Sequence, residues 1–434
     1  VFMMKFLRFA WVFALLAAMP LSIFAQSSGG RLQGTLRDAS QAVLPGGTVT
    51  VTNTETGITR QTTTDGQGRF IFNLLPPAKY DLSGSATGFK TTLQQGITLT
   101  VGADLSVDLT LEVGGVAEQV TVTGEAPVIE TQTGTVSGVI EERTIREIPL
   151  NGRSFTNLME LQPGVVVTRA GGRSTTAGTG DKMSLGGARP TQMSFLLDGA
   201  DMMGKDNTNP AGASGVMLGV DSVQEFRVST SGFSAEYGRN SGGVVTAVTK
   251  SGTNTFHGTA FEFIRNDNFD APRWEDNAFR SGTKPEFKRN QFGGTLGGPI
   301  FRDKTFFFGS YEGLRERLGT VDSPLVPSAE ARTGVLRNYN AVGQPIVATV
   351  NVANQVRPYL DLYPLPNAGL EGTGTGRYSW AGSNNTDQND VVAKFDHQLT
   401  NADSLMGRIF FDDSGTYVPN NLGLLAAVND SRIQ

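Results

Sequence analysis

From Arg31 onward, apolar and polar residues alternate in short runs rich in valine, threonine and phenylalanine, punctuated by glycine, asparagine and aspartate. This pattern predicts strands separated by turns. Seven fall before Glu112: Leu32–Asp38, Thr48–Thr54, Ile58–Thr64, Arg69–Asn73, Lys79–Ser85, Ile97–Val101 and Leu105–Leu111. In the last, Leu105, Val107, Leu109 and Leu111 share one face, and Ser106, Asp108 and Thr110 the other. That period of two predicts a half-buried antiparallel strand. Asp65-Gly66-Gln67-Gly68 predicts a hairpin turn, because glycine reaches positive φ at little cost. Seven strands in about 80 residues predict a β-sandwich.

The pattern then changes. Gly114-Gly115 opens a linker, and Gln119-Val120-Thr121-Val122-Thr123-Gly124 is strand-like. An extended segment on a tether can add a strand to a partner's sheet edge. Arg143–Pro149 predicts a short helix. Phe155, Leu158, Met159 and Leu161 give a helical apolar face that stops at Pro163. Met193–Gly199 predicts a strand ending in a tight turn, and Ser222–Ser229 with Gly243–Thr249 completes a small mixed α/β unit.

Beyond Asn254 the candidate strands are Phe256–Ile264, Arg289–Leu296, Thr305–Leu314, Asp390–Leu399 and Leu405–Asp412. Val391, Ala393, Phe395 and Leu399 alternate with Val392, Lys394, Asp396 and Gln398. One apolar and one polar face suit a strand between lipid and a wet lumen. The connections Gly297–Lys304 and Thr400–Ser404 are short; Arg265–Lys288 and Arg315–Asn389 are long. Transmembrane barrels place short turns in the periplasm and long loops outside, which sets an orientation. Phe306-Phe307-Phe308, Tyr311 and Phe410-Phe411 are candidates for the aromatic girdles.

The N-terminus carries Lys5 and Arg8, then the apolar run Phe9–Leu21, then Ala25-Gln26. This predicts a secretory signal peptide over residues 1–25. No later stretch is apolar enough for a spanning helix. A net charge of −5 leaves no basic excess, so nucleic acid is not an expected partner. The absence of cysteine excludes disulfides, thiolate metal sites and a cysteine nucleophile, and two histidines leave little for a metal centre.

Gly34, Asp38, Pro45, Val49, Val51, Asn53, Gly57, Thr64-Asp65, Gly68, Phe70, Leu75-Pro76, Tyr80 and Gly88-Phe89 together resemble a carboxypeptidase regulatory-like domain. That resemblance implies a transthyretin-like sandwich of the carbohydrate-binding-like superfamily and no peptidase activity. A second set runs through Pro149-Leu150-Asn151-Gly152-Arg153, Leu185-Gly186-Gly187-Ala188-Arg189 and Leu197-Asp198-Gly199. It continues with Val223-Gln224-Glu225-Phe226-Arg227-Val228, Ala235-Glu236-Tyr237-Gly238-Arg239 and Val248–Asn254. These resemble the plug of a TonB-dependent outer-membrane receptor, most nearly the Oar-like subgroup. Arg289–Gly294, Gly297–Ile300, Asp303–Phe308 and Tyr311-Glu312 extend the likeness into the barrel.

The expected fold is therefore mainly β: a sandwich at 31–112, a linker at 113–130, an α/β plug at 131–252 and the first strands of a transmembrane antiparallel β-barrel at 254–434. The resemblance implies TonB-dependent transport of an unidentified substrate (protein, peptide or glycan) across the outer membrane. Its implied partners are TonB with its inner-membrane motor, and outer-membrane lipid; the N-terminal domain is expected in the periplasm. It makes Val120, Thr121, Val122, Thr123 and Gly124 the candidate TonB box. It makes Arg153, Arg189, Asp198, Gly199 and Glu225 candidates for plug architecture. Such barrels have about 22 strands, so five strands read as the N-terminal part of a longer receptor. The alternatives are a non-transporting adhesin and a glycan-binding envelope protein.

Enzyme motifs are lacking. Gly199-x4-Gly204-Lys205 nearly spells a phosphate-binding loop, but Asp206 stands where serine or threonine must reach magnesium. Asp267, Asp270, Glu275 and Asp276 read as a solvated outer loop. No catalytic residue, metal ligand or cofactor is expected.

Overall fold

The computed structural model describes residues 28–114, 119–123, 134–148, 150, 152–168, 182–203, 211, 218–237, 240–272, 274, 277, 284–339, 345–371, 374–401, 403–419 and 429–433. The predicted signal peptide lies outside the described residues.

The first unit contains β1 (Gly30–Asp38), β2 (Thr48–Asn53), β3 (Thr59–Thr63), β4 (Arg69–Leu75), β5 (Ala78–Ser85), β6 (Thr91–Leu99), β7 (Asp104–Ser106) and β8 (Leu109–Leu111), and β9 (Gln119–Thr123) joins it. One sheet runs β4-β1-β7, with β8 also on β1; the other runs β3-β2-β5-β6-β9. Leu32, Leu36, Val49, Phe70, Leu82, Leu99 and Leu109 fill the space between them. The expected sandwich is present, with two corrections. Leu105–Leu111 is broken at Val107-Asp108 into β7 and β8, and both pair parallel, not antiparallel, with β1. The Val107 N–H turns to Gln33 O at 2.8 Å, and the Asp108 carboxylate accepts from Thr35 N at 2.8 Å. The leucines still face the core, so periodicity identified the face but not the partner. The Asp65–Gly68 turn passes from β3 in one sheet to β4 in the other, so it closes no hairpin.

The second unit holds β10 (Val136–Ile140), α1 (Glu142–Glu147), a 3-10 turn at Phe155–Leu161, β11 (Val165–Thr168), β12 (Lys182–Leu185), β13 (Ser194–Leu197), β14 (Ala200–Asp201), β15 (Val223–Ser231) and β16 (Val244–Thr249). Its mixed sheet has the order β10-β15-β16-β13-β14. β13 and β16 are parallel and β15 is antiparallel to β16. β13 and β16 are buried on both faces, and their sequences are mostly apolar; β15 is equally buried but carries Glu225, Arg227 and Ser229, which need polar partners there. Phe195, Leu197, Phe226, Val245, Leu158 and Met159 belong to the core.

The third unit is one antiparallel sheet built from β17 (His257–Asn266), β18 (Phe287–Phe301) and β19 (Thr305–Asp322), followed by a long excursion. That excursion carries β20 (Leu325–Pro327), α2 (Ala329–Arg332), β21 (Val335–Tyr339), β22 (Pro345–Thr349), α3 (Arg357–Leu360), β23 (Leu370–Glu371) and β24 (Thr375–Arg377). The sheet resumes with β25 (Trp380–Gln398), β26 (Ser404–Val418) and β27 (Asn429–Ile433), in the order β17-β18-β19-β25-β26-β27. Its edges β17 and β27 do not meet among the described residues, so the sheet is open. Six strands replace the expected five, and most are longer than expected. The supposed loop Arg315–Asn389 is strand at both ends, since β19 runs to Asp322 and β25 begins at Trp380. A spanning strand needs about 10 residues; the surplus projects past the apolar band. There the arginines find cross-strand partners: Arg317 Nη1 donates to Asp387 Oδ1 at 2.9 Å, and Arg315 Nη2 donates to Asn389 Oδ1 at 2.7 Å.

The alternation sorts the two faces. Val391, Phe395, Leu405, Ile409 and Phe411 point outward and are exposed, while Gln388, Asp390, Val392 and Lys394 are buried on the inner face. The girdle expectation needs correction. Phe306 and Phe308 are buried inward, and Phe410 packs on the core of the α/β unit. Only alternate residues of a strand can face lipid, so Tyr311 and Phe411 face outward and those three do not.

Candidate functional site: the inserted domain and its contacts

The α/β unit sits against the inner face of the long sheet, and three clusters hold it. The first is built on Asp198. β13 and β14 are joined by Asp198-Gly199, with φ of +47° and +83°. A two-residue hairpin with both φ positive suits Asp-Gly, because aspartate tolerates the left-handed region and glycine prefers it. The turn aims the Asp198 carboxylate at the barrel wall. It accepts from Thr249 N at 2.9 Å and Thr249 Oγ1 at 2.7 Å. Arg408 Nη1 of β26 lies 3.0 Å away and Lys394 Nζ of β25 lies 3.6 Å away. Lys394 also donates to Thr249 O at 3.1 Å. All three charged side chains are at most 10% exposed, so the barrel wall supplies the positive charge this carboxylate needs.

The second cluster centres on Arg153, at φ +54° after Gly152. Its guanidinium pairs with Asp221 and lies 4.1 Å over the Phe261 ring and 4.5 Å over that of Phe263. Glu312 of β19 stands 3.9 Å from Arg153 Nε and accepts from Gln291 Nε2 at 2.6 Å. Gly219 makes room, since a Cβ there would sit 1.5 Å from Glu312 Oε2.

The third cluster joins the sandwich to the inserted domain. The turn after β6 places Val101 against β15. Glu225 accepts from the Val101 N–H, and Arg227 Nε donates to Val101 O at 2.6 Å. Arg227 also reaches Thr100 Oγ1 at 3.3 Å and Ser137 Oγ at 2.9 Å, and Gln224 Nε2 donates to Pro77 O at 3.2 Å. Burial pushes the Glu225 carboxyl up to about 7, against the opposing pull of the Val101 N–H and Arg227. A further contact lies at the short-turn end of the barrel. Asn254 donates to Thr56 O at 2.8 Å and to Asp303 Oδ1 of the β18–β19 turn at 2.7 Å. The sandwich therefore stands beside the β18–β19 turn.

Among the expected site residues, Asp198 and Gly199 fall in the first cluster, Arg153 in the second and Glu225 in the third. Arg189 is exposed ahead of Pro190–Gln192 and joins none of them. Val120–Thr123 lie in β9, paired with β6, while Gly124 lies outside the described residues. Gly204 and Lys205 of the near-match to a phosphate loop also lie outside them. The reading of residue types missed Thr249, Lys394, Arg408, Asp221, Glu312 and Val101. Lys394 and Arg408 carried one available signal, as charges on the inward side of alternating strands.

An α/β domain inserted against the polar inner face of a sheet whose outer face is apolar defines a plugged outer-membrane β-barrel receptor. Family models match in the same order: a carboxypeptidase regulatory-like domain at 31–112, a TonB-dependent receptor plug domain at 129–245 and an outer membrane beta barrel domain at 248–434. Together these matches support a TonB-dependent receptor of the outer membrane, a family of transporters and receptors rather than enzymes. It is 30% identical over 302 residues to the TonB-dependent transporter Oar of Myxococcus xanthus, a match covering 66% of this chain and 27% of that protein. The chain thus spans about a quarter of that curated relative's length (27%). Among solved structures, the siderophore receptor PirA of Acinetobacter baumannii is 16% identical, with a TM-score of 0.40 over 70% of this chain and 36% of that one. The outer membrane transporter YddB of Escherichia coli is 15% identical, with a TM-score of 0.41 over 66% and 34%.

Proposed function

We propose that this chain forms the sandwich, plug and first barrel strands of a receptor that moves a substrate across the outer membrane, driven through TonB. The division at 31–112, 113–130, 131–252 and 254–434 is part of this reading. The observation that carries it is the grip on Asp198. The plug is held to the wall by buried charged contacts at Asp198 and Arg153, beside an apolar contact through Val392 and Phe410. The outer membrane has no ATP, so work to break them must arrive through a protein linkage. Val120–Gly124 is the segment we assign to that linkage, as a strand offered to TonB. The sandwich's contact with the β18–β19 turn supports a periplasmic position for both.

The test is removal of Val120–Gly124 from the full receptor. Binding of the purified periplasmic domain of TonB is expected to be lost. Heat-modifiable migration, the mark of a folded barrel, is expected to persist. Unchanged TonB binding refutes the assignment.

A further inference from the structure

β9 is not a free tether. It lies parallel to β6 with Thr91 opposite Gln119, Thr92 opposite Val120, Leu93 opposite Thr121, Gln94 opposite Val122 and Gln95 opposite Thr123. It is thereby the terminal strand of a five-stranded sheet, and its outer edge has no strand partner among the described residues. Natural sheets protect such edges with charge, proline or a covering segment. The far edge of this sheet, β3, carries Arg60, whose Nη1 donates to Asn73 O at 3.1 Å. An edge of the other sheet, β4, carries Arg69, paired with Asp65 at 3.1 Å. β9 reads Gln-Val-Thr-Val-Thr, with no charge and no proline, and Val122 is 43% exposed. It is a β-prone edge without such protection among the described residues.

The platform beneath it is anchored. β6 runs from its pairing with β9 directly into Thr100-Val101, the residues that Arg227 and Glu225 of the plug hold. The sequence of contacts continues inward. β15 pairs with β16, β16 ends at Thr249, and Thr249 donates to Asp198, which Lys394 and Arg408 hold.

We propose that the sandwich presents the box rather than hiding it. A strand of TonB adds to the outer edge of β9 while β9 stays paired with β6, so the load enters the plug through the Val101 clamp. This rests on the reading of Val120–Gly124 as the TonB contact. Docking on β6 orders the strand beforehand, which removes an ordering cost from the encounter.

The experiment is a staple. The chain has no cysteine of its own, so Leu93→Cys/Thr121→Cys places a single pair at one position of the register. Gln94→Cys/Val122→Cys is the second pair, in case the first perturbs folding. The full receptor in detergent is titrated with the purified TonB periplasmic domain, oxidised and then reduced. The expected result is oxidised binding equal to reduced or a few-fold tighter. Oxidised binding weaker by three-fold or more, restored by reductant, overturns the proposal, because the box must then leave the sheet. Failure of both pairs to form a disulfide in the folded receptor also overturns it. The comparison with the variant lacking Val120–Gly124 separates the two readings. If that deletion leaves binding intact, the box assignment itself has failed and the platform with it. If the deletion abolishes binding and the staple does too, only the platform has failed.

Discussion

Replacing Asp198 by Asn removes one charge and little else. Asparagine also accepts φ near +47°, so the turn survives, and its side-chain oxygen can still accept from Thr249. What is lost is the anion facing Lys394 and Arg408, whose side chains are only 6% and 10% exposed. Removing one partner from a buried pair costs about 3–5 kcal/mol. Lys394 keeps its bond to Thr249 O, so the lower end, about 3 kcal/mol, is expected, or roughly 100-fold in the opening of plug from wall. A cysteine at Ser222, which faces Ser310 of the wall across 2.8 Å, reports that opening in a chain with no other thiol. Its labelling rate in lipid should rise about 100-fold in Asp198→Asn relative to the same reporter alone. Lys394→Met in the same background should recover part of the loss, since it removes an unpaired buried cation. A change below about five-fold would show that the ion pairs are incidental and that other contacts hold the plug.

Glu225 predicts a pH dependence. Its carboxyl titrates near 7 when buried against the sandwich and near 4.5 when free. The protonated form therefore favours the docked state: its contribution is complete below about 4.5 and is lost as pH rises through about 7. The sandwich's unfolding temperature in the full receptor should fall between about pH 4.5 and about 7 and level off above that, and Glu225→Gln should flatten that slope; an unchanged slope refutes the assignment. Val391 lies on the outward face beside Val392, which points inward. Val391→Arg should lower barrel stability in lipid by roughly 2–4 kcal/mol, read as the midpoint of heat-modifiable migration; no shift would mean that this face does not meet lipid.

Much of the fold was legible because strand periodicity reports burial directly. Leu105, Leu109 and Leu111 face the core as expected, and Val391, Ala393 and Phe395 share the outward face. Periodicity does not report the partner, so β7 and β8 were read as one antiparallel strand although both pair parallel with β1. Nor does it report where a strand stops once it leaves the membrane. β19 and β25 continue through Arg315, Arg317 and Asp387, residues that read as loop until they are seen paired across the sheet. The aromatic run Phe306–Phe308 misled for a similar reason: composition marks a girdle, while the pleat sends Phe306 and Phe308 inward.

The sequence by itself determined the class of each unit and the turn at Asp198-Gly199, since these follow from local pattern and backbone preference. Only the tertiary structure decided what the charges do. Asp198 lies 210 residues from Arg408 in the chain, and Glu225 lies 124 residues from Val101. No local pattern encodes such meetings, because burial and charge pairing depend on which surfaces the folded units bring together. The same holds for Val120–Thr123: their composition marks a strand, and the fold alone shows that the strand is docked on β6, with no strand on its other edge among the described residues.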